Sequence, residues 1–391
     1  MKEKKARAPV LLFVSNTDWF FLSHRAEIAV AAREAGYSVH LAAPMGEKRE
    51  AIEALGIVTH DVHFARASIR PSGELATLSA LAGLVRRLRP AIVHAVTPKP
   101  VLYLCLIARV VPVPALVLAI SGLGHAFSAR SGAAGIRRRM VVALYALVVR
   151  HRNLRVIFQN ADDQRVLRGI CPGIVGRDTL LRGSGVDLSR HPHVPETSDE
   201  RPLVVMASRM LWDKGVGEFV AAADRCAERF PRAHFLLLGK LDDHPSAVSE
   251  AALLAFNARR NVSWLGHRED IPELFGHANL VVLPSVYGEG LPKVLLEAAA
   301  SGRAVVTTDF PGCREAVIDG QTGVLVEPRD SAALGDAIVR LLEDAPRRHT
   351  MGEAGRRLAE SEFSVATVVA AHLALYEELR ESVSRRSARS R

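Results

Sequence analysis

The chain has 391 residues, more than one hydrophobic core ordinarily organises, so two domains are expected. Apolar residues make up 49% and aromatic residues 5%, a balance that excludes a disordered or fibrous chain and fits a globular α/β protein. The net charge of +9 is unevenly placed: residues 1–200 hold 27 Lys and Arg against 16 Asp and Glu, and residues 201–391 hold 24 against 26. A basic half beside a near-neutral half implies an anionic partner for one half only, either a membrane surface or a diphosphate-bearing acceptor. No RNA- or DNA-binding motif is visible, so nucleic acid is not expected. The four cysteines, Cys105, Cys171, Cys226 and Cys313, show neither metal-ligand nor redox spacing, which fits a reducing cytoplasm and no metal centre. The basic start precedes an apolar run of only six residues, 10–15, too short for a secretory signal. The most apolar stretch, 101–120, is broken by Arg109, Pro112 and Pro114. It predicts a helix and then a buried strand, not a membrane span.

In chain order, strands are predicted at 10–15, 38–43, 91–95, 115–120 and 155–159. Helices are predicted at 25–35, closed by Gly36, and at 74–89, closed by Pro90. Strand–helix alternation implies a parallel sheet with right-handed crossovers. The polar, Pro-rich stretch 187–202 reads as a linker. The alternation restarts with strands at 203–208, 234–238, 262–265, 280–283, 304–308 and 323–326, a helix at 331–344, an amphipathic helix at 365–380 and a frayed basic end at 381–391. The expected architecture is two Rossmann-like domains, 1–190 and 200–365, with the terminal helix 366–391 returning to the first.

The densest signal is LPSVYGEGLPKVLLEAAASG, residues 283–302. A buried strand ends at Pro284, a glycine-bearing loop follows, and Pro292 suits the first position of a helix. The amides of Gly290, Leu291 and Lys293 are then directed out at the carboxyl edge of the sheet, where anions bind in open α/β folds. Glu289 before the helix and Glu297 inside it can accept hydrogen bonds from two hydroxyl-bearing parts of one ligand. The alternative is a solvated strand–helix corner. ASRMLWDKG, residues 207–215, also follows a strand. Arg209 offers a planar fork and Lys214 a compact charge, together a diphosphate site.

ISGLGHAF, residues 120–127, resembles a dinucleotide loop, but Phe127 stands where the third glycine belongs and no acidic residue follows at the expected distance, so that reading is rejected. His125 there either binds substrate or packs. In NTDWFFLSHR, residues 16–25, Ser23 is positioned to cap the first helix, and the aromatics either pack under the loop or border an acceptor. VTPKP places Lys99 at another carboxyl edge.

These motifs resemble the retaining family 4 glycosyltransferases of the GT-B fold, over nearly the whole chain and most strongly over 201–328. Glu289 and Glu297 reproduce the family's E-x7-E motif. The first half, with NTDWFFLSHR, VTPKP, SGLGHAF and FQNADD, is similar to bacterial members that build lipid-linked oligosaccharides, O-antigens and capsules. The resemblance implies an active site in the interdomain cleft. It implies that Arg209 and Lys214 hold the diphosphate of a nucleoside-diphosphate sugar, that Glu297 holds the ribose, and that Glu289 with Gly290, Leu291 and Pro292 holds the sugar. Ser208 joins this donor set, and residues 264–271, including Arg268 and Ile271, border the base. Ser23, His24, Lys99, Ser121 and Gly122 are the acceptor candidates. Many members carry a His at the position of Ser121; here either His125 takes that contact with the sugar or the contact is missing.

The expected activity is hexosyl transfer with retention, from a donor of the UDP class to a polyprenyl-diphosphate-linked saccharide. It is expected to need no cofactor or metal, because no D-x-D triplet is present and the two cations can neutralise the leaving group. The expected location is the cytoplasm, peripheral on the inner face of the membrane, with Arg137, Arg138, Arg139, Arg150, Arg152 and Arg155 meeting anionic lipid. The rival readings are a nucleotide-sugar 2-epimerase on the same fold and a non-catalytic sugar-nucleotide-binding module.

Overall fold

Among the described residues, thirteen apolar or mixed runs form parallel strands, arranged in two sheets. The computed structural model describes residues 8–64, 71–123, 142, 146, 151–194 and 200–389. It divides into two units: Met1–Ser184 with Val368–Arg391, and Gly185–Thr367.

In the first unit the described strands are β1 (Val10–Val14), β2 (Ser38–Ala43), β3 (Val58–Asp61), β4 (Ile92–Val96), β5 (Leu116–Ile120), β6 (Leu154–Phe158) and β7 (Asp178–Leu180), in the order β3-β2-β1-β4-β5-β6-β7. β1 is buried along its whole length, because helices cover both faces of a parallel sheet. Leu12 and Val14 face a core with Leu81, Leu84 and Leu104. Leu11 and Phe13 face another with Ile28, Ala32, Tyr376 and Leu379. Tyr376 and Leu379 belong to the terminal helix Val365–Arg389. That helix runs on to Arg389, into the segment expected to fray. Ser382 Oγ donates to Asn153 Oδ1 at 2.8 Å, and Arg385 pairs with Glu381 one turn away at 2.6 Å.

The second unit holds β8 (Leu203–Ala207), β9 (His234–Leu238), β10 (Val262–Trp264), β11 (Leu280–Leu283), β12 (Ala304–Thr308) and β13 (Gly323–Val326), in the order β10-β9-β8-β11-β12-β13. All its strands are parallel, and one continuous core covers them. The stretch read as a linker packs on this unit over its described part. His191 Nδ1 lies 3.1 Å from Ser301 Oγ, Arg303 donates to the Val194 carbonyl at 2.7 Å, and Arg356 to the His191 carbonyl at 2.6 Å.

The strand order turns back between β1 and β4 in the first sheet and between β8 and β11 in the second. Each of these is a switch point, where the loops at the carboxyl edge part and leave room for a ligand. Among the described residues no helix is long and apolar enough to cross a membrane.

Candidate active site

At the switch point of the second sheet, two loops are laced together. β8 ends at Ala207, and Ser208 stays on the sheet through its amide, which donates to the Leu238 carbonyl at 2.9 Å. The chain then makes a 3-10 turn, Trp212–Lys214. Gly215 follows with φ +84°, and a Cβ there would sit 2.3 Å from the Pro284 carbonyl oxygen. Only glycine lets the loop after β8 lie so close to the loop after β11. Val286 N then donates to the Asp213 carbonyl at 2.8 Å. The loop after β12 closes in as well. A Cβ on Gly312, φ +91°, would meet the carbonyl oxygens of Glu289 and Gly290 at 2.8 Å.

These contacts concentrate charge. The Lys214 side chain is 7% exposed, and its ammonium rests on a Glu289 carboxylate oxygen. Arg209 Nη1 lies 3.5 Å from Asp242 Oδ2. Arg209 and Lys214 each stand 5.3 Å from the centroid of the Tyr287 ring, within cation–π range. Burial, and then the Arg209 charge, pull Lys214 well below the usual lysine value, while contact with the carboxylate favours its charged form. The structure thus joins Lys214 and Glu289, which the resemblance assigned to separate parts of a ligand. It also adds Tyr287, Asp242 and His244, whose ring meets Tyr287 at 6.0 Å. Tyr287 is not among the candidates the motifs single out; its position two residues before Glu289 is the available signal.

Glu297 lies in the helix Lys293–Ala300, 4.0 Å from Lys293 Nζ. Burial pushes its carboxyl above the usual value, and Lys293 acts the other way. Pro292 is not the first helical residue. With ψ 119° it stands as the N-cap, and its carbonyl accepts from Leu295 N at 3.1 Å. Leu291 is buried. Arg268 pairs with Asp270, at 2.8 Å through Nε, at the exposed start of the helix Ile271–His277. Ser208 Oγ donates to the Arg209 carbonyl at 2.9 Å.

In the first unit the acceptor candidates share the carboxyl edge of that sheet. Ser23 and His24 lie in the helix Asp18–His24, which follows β1. Thr17 caps that helix, its hydroxyl accepting from Phe20 N at 3.1 Å, while the helix that Ser23 was expected to cap, Ala26–Glu34, has Arg25 as its N-cap with no side-chain cap bond. His24 Nδ1 is 2.9 Å from Ser184 Oγ. Lys99, in the helix Pro98–Val110 that follows β4, is paired with Glu74 at 2.7 Å. Thr97 before it has φ +70°, a conformation rare for a side-chain-bearing residue and typical of functional sites. Ser121 and Gly122 follow β5, and Asp163 Oδ2 accepts from the next amide, Leu123 N, at 3.2 Å. Asn160 holds that carboxylate at 2.8 Å. His125, Arg137, Arg138, Arg139 and Arg150 lie outside the described residues; Arg155 is paired with Glu378.

Two family models match the chain in tandem, "Glycosyl transferase 4-like" over residues 10–160 and "Glycosyl transferases group 1" over residues 190–358. The chain belongs to the glycosyltransferases. It is 28% identical, over 93% of its own length and 99% of the relative's, to the N,N'-diacetylbacillosaminyl-diphospho-undecaprenol alpha-1,3-N-acetylgalactosaminyltransferase of Campylobacter jejuni. It is 30% identical, over 40% of each chain, to the capsular polysaccharide biosynthesis glycosyltransferase CapM of Staphylococcus aureus. Among solved structures, sucrose-phosphate synthase of Thermosynechococcus elongatus superposes with a TM-score of 0.78 at 18% identity, over 96% of this chain and 100% of that one. Anabaena HepE in complex with UDP-glucose superposes at 0.72 and 18%, over 96% and 99%. This glycosyltransferase therefore has the GT-B fold, built from two parallel-sheet α/β domains. Its laced loops after β8 and β11 carry the charged cluster.

Proposed function

We propose that this glycosyltransferase moves a hexosyl group from a UDP-sugar to a saccharide carried on a polyprenyl diphosphate, with retention of configuration and without a metal. The observation that carries the reading is the convergence of Arg209, Lys214, Tyr287 and Glu289 at the β8/β11 switch point. In this reading the diphosphate takes over Lys214 from Glu289 and is held also by Arg209. The released carboxylate then faces the sugar. The bond from the anomeric carbon to the diphosphate oxygen breaks as the acceptor oxygen attacks from the same face. The acceptor's proton passes to the leaving diphosphate, whose growing charge the two cations stabilise. The lipid-linked acceptor is supported by the Campylobacter jejuni relative, whose own substrate is a diphospho-undecaprenol saccharide. The basic first 200 residues support attraction to an anionic membrane surface. Failure to bind anionic vesicles at low salt counts against that attachment.

The test incubates the purified chain with UDP-sugars and undecaprenyl-diphosphate-linked saccharides and reads the new anomeric signal by NMR. An α-linked product from an α-linked donor is the expected outcome. Formation of the 2-epimer, or nucleotide-sugar binding without transfer to any acceptor, overturns the proposal in favour of an epimerase or a binding module.

A further inference from the structure

The second unit holds a depression of about 460 Å³ whose lining includes none of Arg209, Lys214, Tyr287 and Glu289. Its walls come from the same two loops and from the helices beside them: Trp212 and Asp213 after β8, Val286 after β11, Gly217 and Glu218 from the helix Val216–Arg229, and Arg329 before the helix Ser331–Glu343. Lys214 and Tyr287 are the chain neighbours of Asp213 and Val286, so two thin loop segments carry both this depression and the charged cluster.

Three observations mark it as a binding site. First, Trp212 is 45% exposed, although burying an indole is worth several kcal/mol. The ring is nevertheless held in place. Phe256 meets it edge to face at 6.5 Å, and it lies against Gly217, where a Cβ would come within 3.4 Å of the indole. Second, among the described residues, the carboxylates of Asp213 and Glu218 and the guanidinium of Arg329 make no hydrogen bond or ion pair, so their hydrogen-bonding capacity is unspent there. Third, Arg329 has φ +65°, a conformation that disfavours side chains and persists at ligand-binding positions.

A fixed, open aromatic face beside unspent carboxylates and a guanidinium suits one ligand class. The C–H face of a sugar ring covers the indole, and its hydroxyls donate to the carboxylates and accept from the guanidinium. The mixed signs of charge disfavour the alternatives. A phosphate group meets Asp213 and Glu218, and a cation meets Arg329. We propose that this depression is a saccharide subsite, separate from the reacting centre, that holds a neutral sugar unit.

The test is saturation-transfer NMR of the full chain with N,N'-diacetylchitobiose and with maltotriose, in the presence of saturating UDP. Saturable binding of at least one saccharide is expected. Trp212→Ala should weaken it about tenfold or more, and the Glu218→Gln, Arg329→Ala double variant should weaken it several-fold. The double variant alters only surface side chains, so it carries the test if Trp212→Ala fails to fold. The proposal is independent of the donor assignment: a saccharide held in the charged cluster would respond to Lys214→Ala and not to the double variant. That pattern overturns the subsite, as does binding unchanged in the double variant or no saturable binding of either saccharide.

Discussion

The buried Lys214 and the half-buried Glu289 form an ion pair that ties the loop after β8 to the loop after β11. Such a pair is costly to desolvate, and removing either partner strands the other charge. It is therefore weak as a structural device. A diphosphate offers Lys214 more negative charge than the carboxylate does, so the pair is suited to open when a donor arrives.

Arg209→Ala and Lys214→Ala should each lower kcat/KM by about 100-fold or more, the cost of losing a stabiliser of developing charge. Tyr287→Ala, which removes the ring beside both cations, should cost about tenfold, while Tyr287→Phe keeps the π face and most of the activity. Steady-state kinetics with the sugar donor decides. Near-normal turnover in both cation variants rules out their role at the diphosphate.

The fold was open to reading because its inner strands appear as short, bounded apolar runs: β2, β9, β11 and β12 have the limits expected from sequence, and so does the edge strand β13, whose GVLV is apolar. β3 and β7 escaped because VTHD and DTL are edge strands with little apolar content, identified by pairing rather than by composition. The same distinction holds at the site. Arg209, Lys214, Glu289 and Glu297 stand in motifs, whereas the Lys214–Glu289 contact, the Tyr287 ring beside two cations and the Glu74 partner of Lys99 depend on side chains distant in sequence. A chain reading also cannot tell a linker from a packed strap: His191 meets Ser301 only once the second unit has folded.

Transfer should persist in EDTA, because Arg209 and Lys214 supply the neutralisation that a divalent ion supplies elsewhere. Activity abolished by EDTA and restored by magnesium or manganese contradicts this.

Acid should destabilise the first unit through a histidine held neutral. Burial, and then Arg25, hold His372 at about 4 against an ordinary value of 6.5. Its Nδ1 is bonded to the Val368 carbonyl at 2.8 Å, His94 stacks on it, and Tyr376 lies against both. Above pH 6.5 neither the folded nor the unfolded chain protonates this ring, and it has no effect. Between about 6.5 and 4 the unfolded chain takes up a proton that the folded chain refuses, so stability falls as pH falls, by an amount on the order of 3 kcal/mol when complete. Urea melts from pH 7.5 to 5 should show His372→Phe losing less stability on acidification than the parent. Parallel pH dependences would remove His372 from this account.

The two glutamates should separate in kinetics. Glu297, inside the helix Lys293–Ala300, is assigned to the ribose, which reaction leaves unchanged. A contact equal in ground and transition states alters KM, so Glu297→Gln should mainly weaken binding of the donor and of free UDP. Glu289 is assigned to the sugar ring, where positive character builds as the glycosidic bond breaks, so Glu289→Gln should mainly lower kcat. The ion pair sharpens the second expectation. In the free enzyme Glu289 competes for Lys214 and repels an incoming diphosphate. Its neutralisation should leave UDP affinity at least as strong as in the parent at pH 6, where Lys214 retains its proton. As pH rises, that affinity should fall earlier in Glu289→Gln than in the parent, because a buried ammonium without its carboxylate loses its proton more readily. Calorimetric titration with UDP at pH 6 and pH 8.5, beside steady-state kinetics, tests both parts. A loss of UDP affinity in Glu289→Gln at pH 6 as severe as that in Glu297→Gln would show that the two residues do not divide the donor in this way.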